Sequence, residues 1–180
     1  VISNPVDVIT GIYQQVTGLP ANQVFGTGTY LDTARLKRSL GDALNVDPRS
    51  IQGYMLGEHG DSQFAAWSTV RVLGQKADEL VTNYHLDLDA VANDARVGGF
   101  TVFSGKKYTN FAIAHAAVSL AQLVLSDAHN EAIVSHYDAR FAGYISTPAI
   151  IGRSGVVANF ELTLTADEQR ADRKSTRLNS

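Results

Sequence analysis

The chain has 180 residues, no cysteine and a formal net charge of −3 at neutral pH. Its hydrophobic fraction of 44% and charged fraction of 18% are typical of a globular protein that buries a core. The lack of cysteine excludes disulfides and thiolate metal sites, and the negative charge argues against a nucleic-acid partner. No apolar run reaches the roughly 20 residues that cross a bilayer. We therefore expect a cytoplasmic protein without a membrane partner.

The first 73 residues predict alternating helices and strands. A helix after Pro5 buries an apolar stripe and ends at the Gly-Leu-Pro turn of residues 18–20. A short strand at 24–26 leads into a helix from about Tyr30 to Leu44. A strand at 51–56 follows, with 67–73 as its antiparallel partner. The buried stripe of the first helix consists of Val8, Ile9 and Ile12.

The second half predicts one long helical region and a run of strands. The helical region spans roughly 89–128, and we expect glycine breaks at Gly98-Gly99 and near Gly105. Its segment 113–125 is apolar on more than one face, which indicates a buried helix or a subunit contact. The predicted strands are 133–137, 143–151 and 156–164. This order of elements predicts an α+β domain with an antiparallel sheet.

Three side chains of complementary chemistry lie close together in the sequence. Asp32 and Arg35 are three residues apart, so both leave the same face of the predicted helix, and His59 follows the strand at 51–56. An imidazole exchanges protons near neutral pH, a carboxylate fixes its tautomer, and a guanidinium grips a carboxylate with two hydrogen bonds. Taken singly, they could equally be a surface ion pair and a turn histidine. Together they indicate proton transfer beside an anchored carboxylate.

The other histidines do not indicate a metal site. A zinc site needs three or four nitrogen, sulfur or oxygen ligands at suitable spacing. No such spacing surrounds these residues, so we expect no bound metal. They are His85, His115, His129 and His136.

Four linked motifs resemble those of the L-lactate dehydrogenase family in order and spacing. The resemblance covers residues 1 to about 171. Segments 44–50, 62–72 and 98–102 look most similar to the L-2-hydroxyisocaproate dehydrogenase branch of that family. The four motifs are Ser-Asn-Pro-Val-Asp at 3–7, Gly-Thr-Gly-Thr at 26–29 continuing into Leu-Asp-Thr-Ala-Arg at 31–35, Gly-Glu-His-Gly-Asp-Ser at 57–62, and Tyr-Thr at 108–109.

The resemblance implies an α/β fold and a division of the chain. Residues 1–25 would be the end of a Rossmann dinucleotide-binding domain, and 26–171 the α+β C-terminal substrate domain of the lactate/malate dehydrogenase fold. No G-x-G-x-x-G motif opens a βαβ unit in this sequence. We therefore expect the chain to lack most of the nucleotide-binding domain and to be inactive by itself.

The resemblance also implies the catalytic roles. His59 would be the general acid/base, Asp32 the carboxylate that orients it, and Arg35 the group that binds the substrate carboxylate. Four further residues would contact substrate or cofactor. Asn4 would hydrogen-bond the substrate oxygen beside the cofactor, Thr27 would lie near the nicotinamide carboxamide, Thr109 would line the substrate pocket, and Ile113 would press on the nicotinamide ring.

The implied activity is that of an NAD-dependent L-2-hydroxy acid dehydrogenase, of lactate or branched-chain hydroxyisocaproate type. It would transfer a hydride reversibly between NADH and a 2-oxo acid, in a homotetramer or homodimer. Glycines at 98–99 would leave room for a branched substrate side chain. Two other functions stay open: a malate dehydrogenase with the same catalytic groups, and a non-catalytic oligomerisation module.

Two positions bear on regulation. Relatives activated by fructose 1,6-bisphosphate carry an arginine and a histidine where this chain has Lys37 and Gln52. Because Gln52 offers no cation to a phosphate, we expect no activation by the sugar bisphosphate.

The last nine residues have a separate interpretation. A helix is predicted to start near Thr165, but 172–180 lacks the apolar periodicity that would continue it. These residues resemble the translation of a sequencing-library adapter, so we expect a non-native tail. The alternative is a genuine polar C-terminus.

Overall fold

A computed structural model describes residues 1–177 of the chain. Its helices are α1 (Val6–Thr17), α2 (Tyr30–Leu44), α3 (Ala77–Tyr84), α4 (Leu88–Lys106), α5 (Phe111–Leu125) and α6 (Ala166–Arg177). Its strands are β1 (Ile51–Gln52), β2 (Met55–Leu56), β3 (Phe64–Ala65), β4 (Arg71–Val72), β5 (Gln75–Lys76), β6 (Asn130–Asp138), β7 (Gly143–Gly152) and β8 (Gly155–Asn159). Within these described residues, no helix is long and apolar enough to cross a membrane.

The antiparallel sheet β6-β7-β8 is the scaffold of the domain. Ser135 of β6 and Ser146 of β7 are cross-strand partners at its centre. Each also forms a bridge to a segment outside the sheet, Ser135 to Gly26 and Ser146 to Gly57. The sheet therefore holds the chain ahead of α2 and the chain ahead of His59 at neighbouring positions.

Helix α2 lies between two parts of the hydrophobic core. Leu36 and Leu40 on α2 are fully buried and pack with apolar residues of α3, α4 and the short strands. A second cluster joins Leu120 of α5 to the sheet, with Tyr30 of α2 packed against it. The helix begins after Thr29 and ends at Asn45, whose left-handed backbone conformation stops further helical hydrogen bonding. Both ends of α2 match the predicted boundaries.

The strand predicted at 51–56 is divided in two. β1 pairs with β4, whereas β2 pairs with β3. Gly53 separates them with a φ of 144°, a backbone conformation that favours glycine. A Cβ at this position would lie 2.8 Å from a methyl group of Val70. The interruption therefore depends on a close tertiary contact as well as on backbone conformation.

The helix predicted after Pro5 is confirmed, but its predicted buried stripe is wrong. Val8 and Ile12 are 43% and 53% exposed. The face that packs on the sheet carries Val6, Asp7 and Thr10 instead. The helical spacing of the apolar residues indicated a helix correctly, but it did not show which surface of the helix meets the sheet.

The predicted glycine break at Gly98-Gly99 is also wrong. Helix α4 runs without interruption through both glycines. The break predicted near Gly105 is confirmed, because α4 ends at Lys106 and α5 begins at Phe111. The side chain of Arg35 occupies the space beside Gly98 and Gly99: a Cβ on Gly98 would lie 2.9 Å from its Cδ atom. Here glycine permits the close approach of a neighbouring side chain.

Helix α6 continues beyond its predicted end. It reaches Arg177, so the prediction that the helix stops before residue 172 is wrong. Its buried face is polar, with Glu168, Asp172 and Ser175 at helical spacing, which is why no apolar periodicity marks it. Burial raises the pKa of Asp172 despite the nearby charge of Arg140, while Asp138 adds to the rise. The non-native origin of 172–180 stays a prediction, and residues 178–180 lie outside the described part of the chain.

The remaining elements agree broadly with the sequence patterns. The strands of the large sheet begin and end within a few residues of their predicted positions. The exception is β8, which ends at Asn159, whereas the strand was predicted to continue to residue 164. The strand predicted at 24–26 is only a bridge at Gly26. Helix α3 was not predicted, and α5 buries only Ala116 and Leu120 within the described structure.

Candidate active site

Two threonines fix the first turn of α2 against β2. The Thr29 hydroxyl donates a hydrogen bond to the Met55 carbonyl at 2.6 Å, and the Met55 amide donates to the Thr33 hydroxyl at 3.0 Å. All three residues are buried, so water does not compete for these bonds. These hydrogen bonds place Asp32, which lies between the two threonines in the sequence, close to the loop that follows β2.

The loop 57–62 carries His59 and is held at several points. Gly57, with a φ of 94°, exchanges backbone hydrogen bonds with Ser146. The Glu58 amide donates to the Ser175 hydroxyl of α6 at 2.6 Å, and the Ser62 hydroxyl donates to the Glu58 carboxylate. The main chain at His59 is therefore attached both to the sheet and to α6.

Asp32 joins the imidazole and the guanidinium. Its Oδ2 lies 2.8 Å from Nδ1 of His59, and its Oδ1 accepts a hydrogen bond from Nη1 of Arg35, also at 2.8 Å. The Asp32 side chain is only 2% exposed, whereas those of His59 and Arg35 are 25% and 22% exposed. The structure thus brings together the three predicted catalytic residues around one buried carboxylate, with the imidazole and the guanidinium each about one-quarter exposed.

The surroundings of His59 favour its charged form. Burial opposes the charge and lowers the pKa of the imidazole, but the hydrogen bond and negative charge of Asp32 outweigh it. Asp7 adds to the rise, Arg35 opposes it, and the pKa of His59 is raised overall. Because Asp32 holds Nδ1, Nε2 is the ring nitrogen that can exchange a proton with a bound molecule. The imidazolium is therefore suited to donate a proton near neutral pH.

Replacing Asp32 with asparagine should lower the pKa of His59. The amide keeps the approximate shape but removes the negative charge that stabilises the imidazolium. The pKa is measured by NMR titration of the His59 ring in the 180-residue chain. Asp42→Asn, an exposed substitution on the same helix, is the matched control. An unchanged His59 titration in Asp32→Asn would contradict the electrostatic role of Asp32.

The other predicted site residues are not joined to these three by hydrogen bonds in the described structure. Asn4 is exposed in the segment ahead of α1, and Thr109 is exposed in the connection between α4 and α5. Thr27 is buried, and its amide donates to the Val1 carbonyl at 2.9 Å. Ile113 is half-buried on α5. Their roles toward substrate or cofactor stay predictions.

Neither of two cavities of about 330 Å³ includes the three catalytic candidates. One is lined mainly by apolar side chains from the first 27 residues and from α5, and it includes Thr27. The other lies beside β6, β7 and α6, with Arg140 and Asp172 in its wall. In residues 1–177 no group of three histidine, aspartate or glutamate side chains is arranged to hold a metal.

The sequence interpretation missed Asp7. This residue lies in the first turn of α1, is 4% exposed, and accepts a hydrogen bond from the His59 amide at 2.9 Å. The predicted buried stripe of α1 did not include Asp7, so the available signal was only its place at the end of the Ser-Asn-Pro-Val-Asp motif.

An α/β domain built on the sheet β6-β7-β8 thus carries a histidine and an arginine joined by one buried aspartate. The profile described as the lactate/malate dehydrogenase α/β C-terminal domain matches residues 29–177. The chain therefore belongs to the lactate/malate dehydrogenase family, as the motifs predicted, and the predicted fold class is confirmed.

Similar proteins carry the name L-lactate dehydrogenase. L-lactate dehydrogenase 3 of Bacillus thuringiensis is 40% identical over 182 residues, covering 96% of this chain and 58% of that protein. L-lactate dehydrogenase 1 of Lactobacillus acidophilus is 36% identical, covering 94% of this chain and 54% of that protein. The chain thus spans little more than half the length of these relatives.

A solved structure has the same fold. The minor L-lactate dehydrogenase of Enterococcus mundtii, in a ligands-bound form, superposes with a TM-score of 0.93 at 33% identity. The match covers 98% of this chain and 59% of the other.

Proposed function

We propose that the chain is the substrate-binding part of an NAD-dependent L-2-hydroxy acid dehydrogenase. The observation that carries this proposal is the buried Asp32 carboxylate, which contacts both His59 and Arg35 at 2.8 Å. This arrangement provides a proton donor and a carboxylate-binding cation at one place. The names of the similar proteins favour lactate as the 2-hydroxy acid.

In the direction of reduction, Arg35 holds the carboxylate of a 2-oxo acid. One guanidinium nitrogen is occupied by Asp32, and the exposed remainder of the group retains donors for a second carboxylate. The substrate carbonyl oxygen then lies toward Nε2 of His59. The imidazolium donates its proton to this oxygen as the carbonyl carbon is reduced, leaving a 2-hydroxy acid and a neutral imidazole.

The residues assigned to the nicotinamide have suitable chemistry. Asn4 and Thr27 offer polar groups for a carboxamide, and Ile113 offers an apolar surface for the ring. When bound, NADH supplies the hydride that reduces the carbonyl carbon. The role of this chain is to orient the acid and to move the proton.

The test compares the 180-residue chain with the full-length protein that contains it. NADH oxidation is followed with pyruvate, 4-methyl-2-oxopentanoate and oxaloacetate. We expect no turnover by the chain alone and turnover of pyruvate or the branched acid by the full-length protein. A clear preference for oxaloacetate would favour a malate dehydrogenase. Absence of NADH binding and turnover in the full-length protein would favour the non-catalytic module.

We also propose a homotetramer or homodimer for the full-length protein. Support comes from large apolar side chains that stay exposed on α1, α4 and α5: Val16, Phe100, Phe111 and Leu125. Light scattering coupled to gel filtration measures the assembly, and a monomer at micromolar concentration would contradict this proposal.

Fructose 1,6-bisphosphate should not activate the enzyme. Gln52 is an exposed neutral side chain, and the pKa of Lys37 is lowered by burial despite the nearby charge of Glu131. The pair therefore offers a phosphate less positive charge than an arginine and a histidinium would. The measurement is the apparent KM for the 2-oxo acid with and without the sugar bisphosphate, and a several-fold decrease would contradict the prediction.

A further inference from the structure

Asp7 connects the first turn of α1 to the catalytic loop. Its Oδ2 accepts a hydrogen bond from the backbone amide of His59 at 2.9 Å, across 52 residues of sequence. The residue is only 4% exposed, so this charge-assisted bond lies away from water. A negative charge in the first turn of a helix is also favoured by the helix dipole.

We propose that Asp7 is a positioning residue for His59: it fixes the main chain that carries the imidazole and adds a second carboxylate to its surroundings. This inference rests on the proposed function, because it assigns Asp7 to the same proton transfer. Asp7 does not contact the proton that is transferred. It acts through the backbone amide of His59, whereas Asp32 contacts the imidazole ring.

The bond complements the other attachments of the loop. Gly57, two residues before His59, exchanges backbone hydrogen bonds with Ser146 of the sheet and therefore already has a fixed main-chain partner. The bond to Asp7 extends this series to the catalytic residue itself. Without it, the His59 amide would lack its acceptor and the imidazole would be less precisely placed against Asp32.

Charged groups approach the histidine from several elements. Asp7 comes from α1, and its negative charge raises the pKa of His59 in the same sense as Asp32, while Arg35 opposes both. Within the described residues, the charged groups that act on the pKa of His59 are Asp32, Asp7 and Arg35. Glu58 and Asp61 lie on the same loop; Glu58 accepts a hydrogen bond from Ser62, and Asp61 and Arg96 of α4 form an exposed pair at 4.0 Å.

The position of Asp7 also links two parts of the proposed site. Asn4, which the motif assigns to the substrate oxygen, precedes Asp7 by three residues. The bond from Asp7 to His59 therefore ties the segment with the proposed oxygen ligand to the loop with the proton donor. A shift of one segment would be transmitted to the other through this contact.

The test uses Asp7→Asn and Asp7→Ala. The asparagine retains an oxygen that accepts the His59 amide but loses the charge, whereas alanine loses both. In the 180-residue chain, NMR titration should show a lower pKa of His59 in Asp7→Asn than in the wild type, because the substitution removes a negative charge that stabilises the imidazolium. In the full-length protein, the alkaline limit of 2-oxo acid reduction should shift to lower pH equally. Asp7→Ala should reduce kcat about tenfold or more with KM little changed.

Asp89→Asn is the matched control, since Asp89 is an exposed carboxylate in the first turn of α4. An unchanged His59 titration and pH profile in Asp7→Asn would overturn the electrostatic part of the proposal, even if Asp7→Ala is unstable. A kcat in Asp7→Ala equal to that of the wild type would overturn the positioning role. Partial recovery of kcat in Asp7→Asn relative to Asp7→Ala would support the positioning role. A wild-type protein without turnover would overturn the proposed function, while the titration would still decide whether Asp7 acts on His59.

Discussion

His59→Ala should lower kcat for 2-oxo acid reduction by about 10² to 10⁴, with little change in KM. A positioned general acid contributes a rate factor of this size, and alanine removes the only proton donor that Asp32 orients in the described site. The proposed function assigns binding of the substrate carboxylate to Arg35, which keeps its ion pair with Asp32 at 2.8 Å, so KM should change little. Steady-state kinetics of the full-length protein at saturating NADH measure both constants.

A histidine outside the site provides the control for this substitution. His85 is exposed after α3 and has a left-handed backbone conformation, which asparagine tolerates. His85→Asn should therefore leave kcat within twofold of wild type. Near-normal turnover in His59→Ala would rule out His59 as the general acid. Unchanged NADH affinity would show that the loss lies in the chemical step.

Arg35→Ala should lower kcat/KM by about 10² to 10⁴, mainly through a higher KM. Two charge-assisted hydrogen bonds to a carboxylate contribute roughly 3 to 6 kcal/mol when both partners are well placed. The substitution also removes a positive charge beside His59, so the pKa of the imidazole should rise. The alkaline limit of reduction should therefore move to higher pH, opposite to the shift expected for Asp32→Asn.

The two effects of Arg35 can be separated. Arg35→Lys keeps a positive charge but loses the planar pair of donors, so it should recover the pH profile better than the KM. Arg38→Ala, on the same helix, is the control. Arg38 is 78% exposed, and its ion pair at 3.5 Å is with Asp42, which is also exposed. If Arg35→Ala binds pyruvate as tightly as wild type, another group must hold the substrate carboxylate.

The sequence predicted α2 and its Asp32–Arg35 pair well because both depend on short-range geometry. Residues three apart on a helix share a face, and the helix boundaries follow from neighbouring residues. The motif around His59 likewise predicted a proton-transfer role for this residue. The strand predicted ahead of it was less accurate, because the break at Gly53 depends on close contact with Val70.

Errors occurred where a local pattern had to specify a distant neighbour. The apolar stripe of α1 predicted the wrong buried face, since the sheet packs against Val6 and Thr10. Gly98 and Gly99 of α4 suggested a break but accommodate Arg35. The end of α6 was placed too early because its buried residues are polar. In each case the partner surface lies far away in the sequence.

The sequence by itself determined the family and the helix that carries Asp32 and Arg35, and it proposed the three side chains of the candidate site. Only the tertiary structure decided that one buried carboxylate contacts both cations and that Asp7 holds the His59 amide. The physical reason is that covalent geometry sets which residues share a helix face. Contacts across 27 or 52 residues instead depend on how the sheet, α1 and α2 pack together.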